Sequence, residues 1–158
     1  MYIFRYNDTI PWDNCVATVG FFDGVHAGHR YLLQSVRDIA RDEHKISVVI
    51  TFDNHPRKIL HADFQPKLLT TLDEKISVLS ETGVDACVVL NFTKDLSQLS
   101  AFSFLKDVLH DKLKFSTLLV GHDHRFGHNR EQGFDEYRAI GATLGMNLIQ
   151  VEKYTTDE

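Results

Sequence analysis

His26 and His29 stand three residues apart in the run Phe22-Asp23-Gly24-Val25-His26-Ala27-Gly28-His29. Imidazoles at that spacing share one face of a helical first turn. There they can donate hydrogen bonds to oxygens that gain charge during group transfer. An apolar run leads into this segment, and a helix-like pattern follows it. Gly20 permits close backbone approach at the strand end, and Gly24 permits a tight turn out of it. Gly28 sits at the helix entrance, where free backbone N–H groups and the positive end of the helix dipole would meet an anion. Thr18–His29 therefore reads as a nucleotide-phosphate site. It is neither a Walker loop, since no Gly-Lys-Ser/Thr follows, nor the dinucleotide fingerprint, whose glycine spacing differs.

Two more polar clusters follow apolar runs. In Thr51-Phe52-Asp53-Asn54-His55-Pro56-Arg57-Lys58, His55 and the basic pair Arg57-Lys58 suit an anionic ligand or a solvated basic loop alike. Pro56 stiffens that loop. Gly121-His122-Asp123-His124-Arg125-Phe126-Gly127-His128-Asn129-Arg130 holds three His, two Arg and one Asp. Its histidines match no established zinc spacing and its arginines would oppose a cation, which favours anion or substrate binding over a metal. Phe126 suits stacking on a planar ring or a place in the core. Leu68–Lys75 reads more simply as a capped helix start, and Phe102 and Phe104 read as core residues.

These clusters need a scaffold that aims them at one place. Val16–Phe22, Ile46–Phe52, Asp85–Phe92, Ser116–Val120 and Asn147–Val151 are apolar runs of strand length. Helical spacing appears in Gly28–Glu43, in a segment opened by Thr71 with Glu74 in capping-box position and ending near Gly83, in Ser100–Lys112 and in Arg130–Leu144. The stretch around Pro56 and Pro66 is irregular. Alternating strands and helices predict an α/β domain with a Rossmann-like, doubly wound parallel sheet of about five strands. In such sheets ligands bind at the carboxyl ends of the strands, near the point where strand order reverses. All three clusters fall directly after predicted strands.

A chain of 158 residues suits one domain with a sizeable core. Its net charge of −5 argues against non-specific nucleic-acid binding, which needs a basic surface, but not against a small anionic substrate. No apolar run is long enough to span a bilayer. Met1–Tyr6 does not read as a secretory signal, so a cytoplasmic location is the default expectation. Cys15 and Cys87 match no metal spacing and read as buried thiols.

With these motifs in order, the chain resembles the adenylyltransferase domain of the bacterial bifunctional riboflavin kinase/FMN adenylyltransferases, the FAD synthetases. Val19–His29 resembles that family's version of the HxGH nucleotidyltransferase motif. Thr51–Pro56 resembles its second motif, Leu69–Lys75 its helix-opening segment, and Gly121–Gly133 its glycine-bounded third motif. HxGH alone marks only the broad superfamily, whereas the ordered set points to the flavin enzyme. The resemblance implies attack of the FMN phosphate on the α-phosphate of ATP, giving FAD and pyrophosphate with Mg²⁺ assisting. It implies His26 and His29 at the ATP phosphates and the transition state. Gly20, Phe21, Asp23, Gly24, Gly28 and Gly121 would shape the ATP pocket. Asn54, His55, Pro56, Asp123, Phe126 and Arg130 would lie on the flavin side. It assigns no metal ligands.

Asn54 stands where the family usually has Pro, and His124 where an aromatic is common. The family's Ser/Thr-rich motif ending in Arg is expected just past Tyr154–Glu158, with a riboflavin kinase domain beyond it. The expectation is thus one nucleotidyltransferase domain over 1–158, incomplete at its C-terminus, without kinase activity and with impaired transfer. The alternatives are an HxGH transferase with a non-flavin acceptor, and a nucleotide- or flavin-binding fragment without turnover.

Overall fold

A computed structural model describes residues 1–22, 27–53, 71–91, 93–121 and 133–151 of the chain. Six strands form one sheet: β1 (Tyr2–Arg5), β2 (Cys15–Val19), β3 (Ile46–Phe52), β4 (Ala86–Leu90), β5 (Phe115–Val120) and β6 (Asn147–Gln150). The order is β1-β4-β3-β2-β5-β6, and every neighbouring pair is parallel. Parallel strands need crossover connections, and helices supply them. These are α1 (Ala27–Asp42), α2 (Leu72–Glu81), the single turn α3 (Lys94–Ser97), the short α4 (Ala101–Ser103) and α5 (Phe134–Thr143). α4 runs straight into a π-helical stretch, Phe104–Lys112, where the sequence suggested an ordinary α-helix.

Both faces of the sheet are covered, which explains why the strands read as continuous apolar runs rather than alternating ones. One core joins Val16, Val49, Cys87 and Leu119 to Leu33 and Val36 of α1 and Leu79 of α2. The other joins Ala17, Ile50, Val88 and Leu118 to Leu105 and Leu109 of the π-helical stretch and Tyr137 of α5. From β2 the chain moves outward through β3 to β4, then crosses back to β5 on the other side of β2. The order therefore reverses between β2 and β5, the position where doubly wound sheets open a crevice.

The sheet has one strand more than the sequence pattern suggested. β1 pairs with β4 from Tyr2↔Ala86 to Arg5↔Val89. It is short and mostly exposed, so it lacks the buried apolar run that marks the other strands. Phe104 is buried, but Phe102 is 46% exposed, which corrects its reading as a core residue. Two positions apart on a helix is about 200° of rotation, so those two rings cannot share a face. The helix expected from Arg130 is described from Phe134, with Gly133 as its N-cap donating its N–H to Glu136 Oε2 at 3.1 Å. Residues 130–132 and the irregular stretch around Pro56 and Pro66 lie outside the described residues.

Candidate active site

β2 is buried along its whole length and ends at Gly20, whose N–H donates to Ile50 O at 3.0 Å and carries the β2–β3 pairing one residue further. Phe22 then folds back beneath the strand end. Its φ is +54° and its side chain is buried. A Cβ on residue 20 would stand 2.9 Å from the Phe22 ring, so the glycine makes room for this posture. The ring meets the imidazole of His29 edge to face, with centroids 5.1 Å apart and planes at 75°. Gly28 and His29 lie in the first turn of α1, which carries no acidic residue there. The half-buried His29 thus stands at the amino end of α1, the positive end of the helix dipole.

A second support comes from β3 and α2. Thr51 Oγ1 donates to Phe21 O at 2.9 Å and accepts from Lys75 Nζ at 3.3 Å. Lys75 Nζ also donates to Phe52 O at 3.1 Å. The rings of Phe21 and Phe52 pack with centroids 4.6 Å apart. One residue on, Asp53 anchors the neighbouring strand ends. Arg5 pairs with its carboxylate at 3.3 Å, and the Asn91 amide lies beside it, donating to both carboxylate oxygens when its nitrogen is assigned to the Asp53 side. α2 opens with the anticipated capping box: Glu74 N–H donates to Thr71 Oγ1 and Thr71 N–H to Glu74 Oε1, both at 3.1 Å. The Thr71 backbone N–H first, and its side chain second, hold the Glu74 carboxyl below its ordinary range.

Gly20, Phe21, Gly28, His29 and Gly121 are thus brought to the carboxyl ends of β2 and β5. Gly121 directly follows β5, and a Cβ there would find only Leu32 Cδ2 of α1 near it among the described residues, at 4.0 Å. Asp23, Gly24, His26, Asn54, His55, Pro56, Asp123, His124, Phe126 and Arg130 lie outside the described residues. The described residues contain no group of three or more His, Cys, Asp or Glu able to hold a metal ion. Cys15 and Cys87 are free and buried, as the sequence suggested, and burial pushes both thiols up, that of Cys87 to about 12. No described helix is long and apolar enough to cross a membrane.

Two residues of this arrangement escaped the sequence reading. Lys75 fell inside a segment explained by its cap, although its spacing from Leu72 and Leu79 places it on the inward stripe of α2. Phe22 sat inside the motif without a role, because its posture depends on what Gly20 lacks.

A family model described as FAD synthetase matches residues 9–158. The chain belongs to the FAD synthetase family. The match runs through all three polar clusters, including those outside the described residues. The chain is 35% identical over 144 residues to the bifunctional riboflavin kinase/FMN adenylyltransferase of Escherichia coli K12, covering 91% of the chain and 46% of that protein. It is also 35% identical over 143 residues to the Pseudomonas fluorescens protein of the same description, covering 90% and 46%. The chain therefore spans about half the length of the curated relatives it matches. Among solved structures, a Streptococcus pneumoniae protein described as a macrolide-efflux protein superposes with a TM-score of 0.80 at 23% identity, over 96% of this chain and 51% of that one. That likeness speaks for the fold alone.

Proposed function

We propose that this chain is the FMN adenylyltransferase portion of an FAD synthetase. ATP would lie across the carboxyl ends of β2 and β5, its phosphates on the first turn of α1 and on His29, with His26 as their second imidazole. A phosphate oxygen of FMN attacks the α-phosphorus of ATP, the bond to the β-phosphate bridging oxygen breaks, and pyrophosphate leaves. No side chain needs to become covalently attached. Such transfers rest on positioning and charge stabilisation rather than on a protein nucleophile. Mg²⁺ would enter with ATP, held mainly by the phosphates, as is usual for this ion. Asn54, His55, Pro56, Asp123, Phe126 and Arg130 are proposed for the flavin side. A riboflavin kinase domain is proposed to accompany this domain in the whole protein, as the names of the relatives suggest.

The observation that carries this reading is the packing of His29, in the first turn of α1, against Phe22 at the point where strand order reverses. The test is incubation with ATP, Mg²⁺ and FMN, following FAD and pyrophosphate. Formation of FAD supports the assignment, whereas pyrophosphate release only with a non-flavin acceptor would sink it. His29→Ala should lower the rate by about 10²–10³-fold, the loss typical of removing one transition-state hydrogen-bond donor. Its melting temperature should stay near wild type, because the side chain is half-buried rather than core.

A further inference from the structure

We infer that Lys75 is a positioning residue for His29, acting through Thr51 and the Phe21–Phe22 turn. The inference rests on the proposed role of His29 at the nucleotide phosphates.

Lys75 is only 8% exposed, although lysine almost never sits so deep without a reason. It occupies the first turns of α2, the positive end of the helix, where a cation is disfavoured. Burying an ammonium costs several kcal/mol before its hydrogen bonds offset the loss. Local preference therefore does not explain this placement; the tertiary contacts do. Nζ reaches the carboxyl end of β3 and donates to Thr51 Oγ1 and Phe52 O. Because the Thr51 hydroxyl accepts that bond, its own proton is directed at Phe21 O, 2.9 Å away. The peptide that begins with that carbonyl leads into Phe22, which holds a positive φ. Phe22 in turn sets its ring against His29. Each link is short, directional or closely packed, so a shift of Phe21 must move the surface on which His29 rests. Errors of about 1 Å in such positioning can cost about 100-fold in rate.

The test compares wild type with Lys75→Met, Lys75→Arg, Thr51→Val and Phe22→Leu. NMR would record the imidazole resonances of His29, which the adjacent Phe22 ring shifts. Titration would record the affinity for Mg²⁺–ATP. Lys75→Met and Thr51→Val should move the His29 resonances toward their position in Phe22→Leu and weaken ATP binding about tenfold. Lys75→Arg should restore much of both. The melting temperature of Lys75→Met should fall modestly, since Phe52 O loses its donor while relief of the buried charge offsets part of that loss. In turnover, kcat should fall while KM for FMN holds. Unmoved His29 resonances in both Lys75→Met and Thr51→Val would overturn the inference, and Thr51→Val decides alone if Lys75→Met does not fold. A chain extended past Glu158 that makes no FAD would defeat the proposed function instead, and the resonances would still decide the role of Lys75.

Discussion

The two edges of the sheet use the same backbone conformation for different ends. At the amino edge, where helices hand the chain to strands, lie four positive-φ residues, His44, Gly83, Lys114 and Gly145. Each follows a helix end within two residues. His44 N–H bonds Arg41 O and Lys45 N–H bonds Ala40 O, while Gly145 and Met146 repeat the pattern onto Ala142 and Gly141. These are helix stops in which a left-handed residue lets orphan carbonyls find donors. At the carboxyl edge the one positive-φ residue among those described is Phe22. It follows a strand, it is bulky and buried, and its ring rests on the imidazole of His29. A left-handed conformation at a bulky residue is a real outlier, and such strain gathers at functional sites. The difference teaches that a strained angle carries meaning only through what it holds in place.

The contrast breaks most directly at Phe22. Phe22→Gly relieves the backbone strain yet deletes a buried ring, so stability should fall by about 3 kcal/mol, with the transfer cost only partly offset by the relaxed φ. Turnover by the protein that remains folded should also fall, because His29 loses its packing surface. Denaturant unfolding and FAD formation measured on the same preparation would check both. Unchanged turnover per folded molecule would mean that the carboxyl edge is no more than another turn.

The matching experiment at the amino edge is Trp12→Phe. Trp12 is buried, meets Phe4 edge-on at 5.3 Å, and donates its indole N–H to Leu113 O at 2.8 Å. Phenylalanine keeps the apolar contact but leaves that carbonyl short of a donor, at a cost of about 1–3 kcal/mol. Unfolding followed by circular dichroism should show this loss, while kcat and both KM values stay at wild type. A drop in kcat would erase the division of labour between the edges.

Much of this division was legible in the sequence, and the reasons for the exceptions are physical. Ile46–Phe52 is a strand over the residues anticipated, because a fully buried strand writes an unbroken apolar run. The Thr71–Glu74 box was legible because both its partners lie within one helical turn. The strand–glycine–histidine–helix order likewise located Gly20, Gly28 and His29. β1 was not legible, since an exposed edge strand of four residues needs little apolar patterning. Lys75 and Phe22 were missed because their roles run through contacts distant in sequence, from residue 75 to residue 51 and on to residue 21. No local pattern encodes such a chain of contacts, although a lysine on the apolar stripe of α2 was a visible sign.

The smallest effect gives the cleanest check on the comparison. Lys114 has φ +61°, closes the π-helical stretch with its N–H on His110 O at 3.2 Å, and points its side chain to solvent. Nothing that glycine lacks is needed there except the backbone it already adopts. Lys114→Gly removes a left-handed penalty of about 1–2 kcal/mol, and the greater freedom of glycine in the unfolded chain takes back roughly half of it. Stability should therefore rise by up to about 1 kcal/mol, or about 2–4 °C in melting temperature for a chain of this size. FAD formation should not change. Glycine at Phe22 relaxes the same angle and is expected to cost both stability and rate, so the two glycine variants carry opposite signs. Equal signs at the two positions would show that φ itself, and not the ring resting on His29, governs the carboxyl edge.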